Sequence, residues 1–161
     1  MSEKKRILFV CLGNIVRSPL AEHMFARLAD EAGVGEKYEV DSAGTSDYHI
    51  GEKPDPRMRR LAANKGLAYD GRARQVTPYD LDAFDLIVAM DMENKFNLLN
   101  LVSSPQQIDK IVTMRKFDPQ GSLTDNVPDP YYGGIDGFEI TYEIVERSCR
   151  GLLKALEVGE V

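Results

Sequence analysis

Cys11 and Arg17 are separated by Leu12-Gly13-Asn14-Ile15-Val16 and followed at once by Ser18-Pro19. A thiolate is a strong nucleophile, and a guanidinium fork matches two oxygens of a phosphate. The apolar residues 7–11 read as a short buried strand. Gly13 and Asn14, the residue types that most easily take positive φ, then turn the chain. Ser18 is predicted to cap a helix with Pro19 at its first position, which makes Arg17 the last residue before the cap. A thiol thus leaves the end of a strand, a tight loop follows, and a helix N-terminus closes it. Loop N–H groups can converge there on one oxyanion, and the helix dipole adds about half a positive charge. Thiols in such surroundings titrate at roughly 3.5–7.5, so Cys11 is expected as a thiolate beneath a bound phosphate. The cysteine–arginine spacing alone is a weak signal, and a cysteine ending a core strand is often only a small buried hydrophobe. Strand, turn and helix start together give it weight.

A second candidate is Asp129, between Pro128 and Pro130 and followed by Tyr131-Tyr132. Two prolines make a stiff loop. On composition alone Asp129 reads as a turn residue. Its chemical reading is a general acid for a leaving oxygen, its carboxyl raised above the free value of roughly 3.9 by a thiolate and a bound phosphate. The tyrosines read as an aromatic wall or as packing residues.

These residues need a scaffold. The chain has 161 residues, 43% hydrophobic and 29% charged, with net charge −6, the profile of a soluble globular protein read as one domain over residues 1–161. No basic stripe points to nucleic acid. The basic start is too short for a signal peptide, no apolar stretch is long enough for a membrane span, and two cysteines make no disulfide framework. A reducing, cytoplasmic setting is expected. His23 and His49 make no ligand set, so neither a metal nor another cofactor is expected.

After the loop, Leu20, Ala21, Met24, Phe25, Leu28 and Ala32 recur at helical spacing up to Gly33 or Gly35. Residues 38–43, 84–90 and 108–114 read as further strands. Asp55-Pro56 and Thr77-Pro78 look like helix caps, Asp91 can cap a helix through Leu101, and Asp136 with Glu139 resembles a capping box before a long final helix. Alternating strands and helices imply a three-layer α/β fold: a four-stranded parallel sheet in flavodoxin-like order 2-1-3-4 with helices on both faces. Ligands bind such sheets at the carboxyl ends of the strands where the order reverses, which is where the Cys11 loop falls.

The motifs Val10-Cys11-Leu12-Gly13-Asn14-Ile15, Arg17-Ser18-Pro19, Asp41-Ser42-Ala43-Gly44-Thr45, Ala73-Arg74-Gln75, Met90-Asp91 with Asn94, and Asp129-Pro130-Tyr131 together resemble low-molecular-weight protein tyrosine phosphatases, in family order over about residues 5–157. The resemblance implies hydrolysis of phosphotyrosine and small aryl phosphates through a phosphocysteine. Cys11 is then the nucleophile, Arg17 and the amides of residues 12–17 hold the phosphate, and Asp129 is the acid and then the base. It further implies that Ser18 stabilises the thiolate, that Asn14 locks a left-handed turn by bonding Ser42, and that Leu12, Ile15, Tyr48 and Tyr131 line a cleft for an aromatic ring. Gly13 and Val16 complete the phosphate loop. Asp47, Tyr48, His49 and Lys53 fall where the family varies its preference. The expected partners are a phosphotyrosine protein and inorganic phosphate or a similar oxyanion, with the chain a monomer or weak dimer.

Two positions depart from the pattern. Val16 stands where many members carry a second cysteine that shields the nucleophile in a disulfide. Gly71 stands where several carry a histidine bracing the asparagine–serine network, which leaves Ser42 alone to hold the loop. Two other readings compete: a thiol-dependent arsenate reductase of related fold, which needs a resolving cysteine pair where only Cys149 remains, and a phosphate-binding module without turnover.

Overall fold

The apolar run at the N-terminus becomes the strand that the other elements lean on. A computed structural model describes residues 3–121, 125–131 and 133–161; Tyr132 lies outside them. β1 (Lys5–Cys11) pairs in parallel with β2 (Tyr38–Gly44) on one side and β3 (Leu86–Ala89) on the other, and β4 (Ile111–Thr113) pairs with β3, in the expected order β2-β1-β3-β4. Successive side chains of a strand face opposite ways. Ile7, Phe9 and Cys11 therefore enter one apolar layer, with Leu20, Met24 and Phe25 of α1 (Arg17–Glu31) and Phe138, Val145 and Leu152 of α6 (Ile135–Glu157). Leu8 and Val10 enter the other layer, with Leu81 of α3 (Asp80–Ala83), Leu98 of α4 (Met92–Leu99) and Phe84. The first layer also takes in Met58 and Ala62 of α2 (Pro56–Asn64). No described helix is long and apolar enough to cross a membrane.

Several boundaries differ from the sequence expectation, each for a local reason. α1 starts at Arg17, with Val16 flanking it and no side-chain cap. Ser18 is the second helical residue and cannot cap, because its hydroxyl is engaged by Cys11 and Asn14. Pro19 still lies among the first positions, where a missing N–H costs nothing. α6 starts at Ile135 with Gly134 at its cap, so Asp136 complements the helix dipole from the first turn instead of opening a capping box. α3 begins three residues beyond Thr77, and Asp80 reaches back to accept the Thr77 N–H at 2.8 Å. β4 is shorter than the apolar run because Ile108 belongs to α5 (Pro105–Asp109), which Ser104 caps by accepting the Gln107 N–H. The other caps follow the sequence: Asp55 accepts from the Arg57 N–H and Asp91 from the Asn94 N–H.

Candidate active site

β1 delivers Cys11 to the carboxyl edge of the sheet, and the chain must reverse within five residues to start α1. Asn14 takes φ 57°, the one non-glycine residue with positive φ among those described. Asparagine fits there because its short amide also bonds what lies around it. Thr45 N–H donates to the Cys11 carbonyl at 2.9 Å, Ser46 N–H to that of Leu12 at 3.0 Å, and Asp55 N–H to that of Ile15 at 2.7 Å. The segment between β2 and α2 therefore grips the loop from outside. Gly44 is needed for this approach, since a Cβ there would lie 2.7 Å from the Leu12 carbonyl oxygen and 3.2 Å from the Asn14 nitrogen.

With its carbonyls so engaged, the loop turns its donors inward. Asn14 N–H points at Cys11 Sγ at 3.2 Å, and Ser18 Oγ lies 2.9 Å from the same sulfur. Among the described residues, the N–H groups of Leu12, Gly13, Ile15 and Val16 have no acceptor within the chain. These residues line a pocket together with Cys11, Arg17, Tyr48, His49, Asp129 and Tyr131. The structure thus brings Cys11, Arg17, Asp129 and the walls Leu12, Ile15, Tyr48 and Tyr131 together in one pocket.

Asn14 and Ser18 are buried, and neither is among the residues lining the pocket. Asn14 Nδ2 donates to Ser18 Oγ and to Ser42 Oγ, both at 2.9 Å. Ser42 is not alone in holding the loop. Arg74 N–H donates to Asn14 Oδ1 at 2.9 Å, and Ser42 donates to Glu22.

Arg17 is 3% exposed and held from three sides: Asp91 Oδ2 at 2.6 Å, the Val127 carbonyl at 3.1 Å and Asp129 Oδ2 at 3.5 Å. Burial pulls its guanidinium downward, but the facing Cys11, Asp91 and Asp129 outweigh this and hold it above its ordinary value. Asp91 has a role that its helix-cap pattern does not reveal: it caps α4 through Oδ1, yet its second oxygen clamps Arg17. Its place at the carboxyl end of β3, beside β1, was the available signal.

Asp129, on the pocket's rim, turns its own Oδ1 to accept the Tyr131 N–H at 3.1 Å. Arg57 donates to the Tyr131 carbonyl at 3.0 Å and to Asp55, and its guanidinium lies 5.4 Å from the Tyr131 ring centre. This ties the Asp129 loop to α2. Tyr48, 72% exposed, stands as an outer wall. His49 adds a wall that the sequence placed only in a variable stretch; Glu52 holds its Nδ1 at 2.8 Å and its ring faces Tyr131.

Residues 6–160 match the model of the low molecular weight phosphotyrosine protein phosphatase family. The chain belongs to that family. A low molecular weight protein-tyrosine-phosphatase of Streptomyces coelicolor is 43% identical over 152 residues, 94% of this chain and 93% of that one. The human low molecular weight phosphotyrosine protein phosphatase is 40% identical, covering 93% and 94%. A crystal structure of a protein tyrosine phosphatase from Entamoeba histolytica, with Hepes in its active site, superposes with a TM-score of 0.93 at 41% identity, covering 98% of this chain and all of that one.

The arsenate reductase alternative loses its remaining thiol in this family setting. Cys149 is fully buried in α6, its Sγ lies 3.6 Å from the Ala21 carbonyl, and burial pushes the thiol far above its ordinary value.

Proposed function

We propose that this phosphatase hydrolyses phosphotyrosine in protein substrates, and small aryl phosphates, through a phosphocysteine formed on Cys11, within one domain spanning residues 1–161. Family membership makes the chain a protein tyrosine phosphatase, a hydrolase. The observation that carries the residue assignment is the convergence of Asn14 N–H and Ser18 Oγ on Cys11 Sγ in a pocket flanked by Arg17 and Asp129.

In the first step Cys11 Sγ attacks phosphorus in line. The S–P bond forms as the bond to the phenolic oxygen breaks, and Asp129 passes its proton to that oxygen. Arg17 and the loop N–H groups hold the three remaining oxygens as charge spreads over them. In the second step Asp129, now a carboxylate, takes a proton from water, whose oxygen attacks phosphorus and releases inorganic phosphate and the Cys11 thiolate. The walls Leu12, Ile15, Tyr48 and Tyr131 suit a planar ring, and a phenol of pKa about 10 is an easier leaving group than a serine alkoxide. The setting is cytoplasmic, and the chain acts as a monomer or weak dimer.

Phosphate release from an aryl phosphate in the presence of a chelator tests the assignment. Cys11→Ser is expected to be inactive, and Asp129→Ala to lose about 10²–10⁴-fold in turnover. A serine variant retaining turnover, or an alanine variant as fast as the parent, removes the residue concerned from its role.

A further inference from the structure

Glu22, in the second turn of α1, ends a chain of hydrogen bonds whose direction is fixed by its members. Asn14 Oδ1 accepts a backbone N–H, that of Arg74, which can only donate, so the amide nitrogen must be the end that faces the serines. That nitrogen carries two protons and no acceptor, and sends one to Ser18 Oγ and one to Ser42 Oγ. Each serine oxygen therefore accepts from Asn14 and has one proton to place elsewhere. The Ser18 proton has Cys11 Sγ at 2.9 Å, closer than the Ala43 carbonyl at 3.4 Å. The Ser42 proton has Glu22 Oε1 at 2.7 Å.

We infer that Glu22 is a positioning residue for the phosphatase reaction: its carboxylate holds the Ser42 hydroxyl, which fixes the Asn14 amide and through it the Ser18 O–H aimed at Cys11. The inference rests on reading Cys11 as the nucleophile. A carboxylate only accepts, and a charge-assisted bond is roughly twice as strong as a neutral one. Without it the Ser42 hydroxyl rotates and its proton meets the Asn14 amide protons. Asn14 is then loosened, and the Ser18 proton is free to turn to the Ala43 carbonyl. Gly71, on the same cleft as Ser42 and Glu22, brings no side chain to this work, and a Cβ added there would meet nothing within 4 Å.

The charges facing Glu22 come from several elements. His23 Nε2 is 3.8 Å from Glu22 Oε2, Asp41 lies on β2, Arg74 bridges Asp41 and Asp80, and Asp70 and Arg72 line the same cleft. Burial pushes the carboxyl above its ordinary value and Asp41 adds to the rise, while the Ser42 bond, His23 and Arg74 oppose it. Protonation of Glu22 therefore begins at a higher pH than for a free glutamate and weakens the chain from its far end.

The test is the pH profile of Cys11 alkylation by iodoacetate, which needs no turnover; Cys149 is fully buried. In Glu22→Ala the midpoint of the profile is expected to rise by about one pH unit, and kcat on an aryl phosphate to fall about tenfold. KM should change less than about threefold, because Arg17 and its partners Asp91 and Val127 lie outside this chain of hydrogen bonds. Glu22→Gln keeps an accepting oxygen without a charge, and should recover at least about half of the midpoint shift. In a Ser42→Ala background, Glu22→Ala should add less than about twofold. An unmoved midpoint in Glu22→Ala, a glutamine variant as impaired as alanine, or full additivity with Ser42→Ala overturns the inference. Turnover in Cys11→Ser would instead overturn the nucleophile assignment, and the alkylation profile would still report on the chain.

Discussion

Asp91 joins two tasks in one carboxylate, and separating them gives the sharpest expectation. Its Oδ1 accepts the Asn94 N–H at 2.7 Å and caps α4, while its Oδ2 accepts from Arg17 Nη1 at 2.6 Å. The cap is worth about 1 kcal/mol. Removing one partner of a buried ion pair costs about 3–5 kcal/mol. Arg17 keeps the Val127 carbonyl and Asp129 as partners, so the lower end, about 3 kcal/mol, applies here. Asp91→Ala should then lose about 4 kcal/mol of stability, and Asp91→Asn about 3 kcal/mol. In the asparagine variant the single amide oxygen can cap α4, but the amide N–H groups then face the donors of Arg17. Both variants remain folded if the parent has the usual 5–15 kcal/mol. With its guanidinium free to shift by about 1 Å, Arg17 should cost on the order of 10² in kcat/KM. Urea unfolding and steady-state hydrolysis of an aryl phosphate read the two effects. An asparagine variant with the parent's kcat/KM refutes the view that Asp91 positions Arg17, and equal stability of the two variants refutes the cap.

Other expectations concern the loop, its oxidation and acid stability. In Gly44→Ala the added methyl meets backbone atoms of Leu12, Gly13 and Asn14 at 2.7–3.2 Å, so the phosphate loop must move; kcat/KM should fall by at least about tenfold, and unchanged kinetics would show that the loop tolerates the shift. With a valine at position 16 and Cys149 buried, peroxide should carry Cys11 to sulfinic or sulfonic acid; full recovery of activity on adding dithiothreitol counts against this. Asp118, its side chain 0% exposed, is paired with Arg147 and Arg115. Burial alone raises its carboxyl, but the Arg147 bonds, the Gln120 N–H and Arg115 together hold it below the ordinary value. A depressed carboxylate contributes stability that is present above about pH 4 and lost as pH falls through the folded value. Asp118→Asn should therefore be less stable than the parent at pH 7, with the gap closing as pH falls below about 4; a pH-independent gap is the contrary result.

Local chemistry made much of this protein legible in its sequence. The alternation of short apolar runs and periodic helices dictates a parallel sheet, and the sheet places the Cys11 loop at its carboxyl edge whatever the detail of the rest. Asp55-Pro56, Asp91 and the apolar stripe of α6 carry their helices because caps and periodicity act within a few residues. Ser18 does not cap α1 because its hydroxyl has a competing use, set by groups distant in the chain: Asn14 is held by Arg74, 60 residues on, and by Ser42.

Tertiary structure alone decided which polar groups meet. Arg17 reaches Asp91 and Val127 across 74 and 110 residues, and Glu22 reaches Ser42 from a neighbouring element. A lone sequence specifies such pairings only through the packing that brings strands β1, β2 and β3 side by side, since a hydrogen bond depends on tenths of an ångström that no local pattern encodes. The sequence by itself determined that a thiol, a guanidinium and a carboxylic acid were present on a scaffold able to gather them. The fold determined what surrounds each one, and so its orientation, burial and charge.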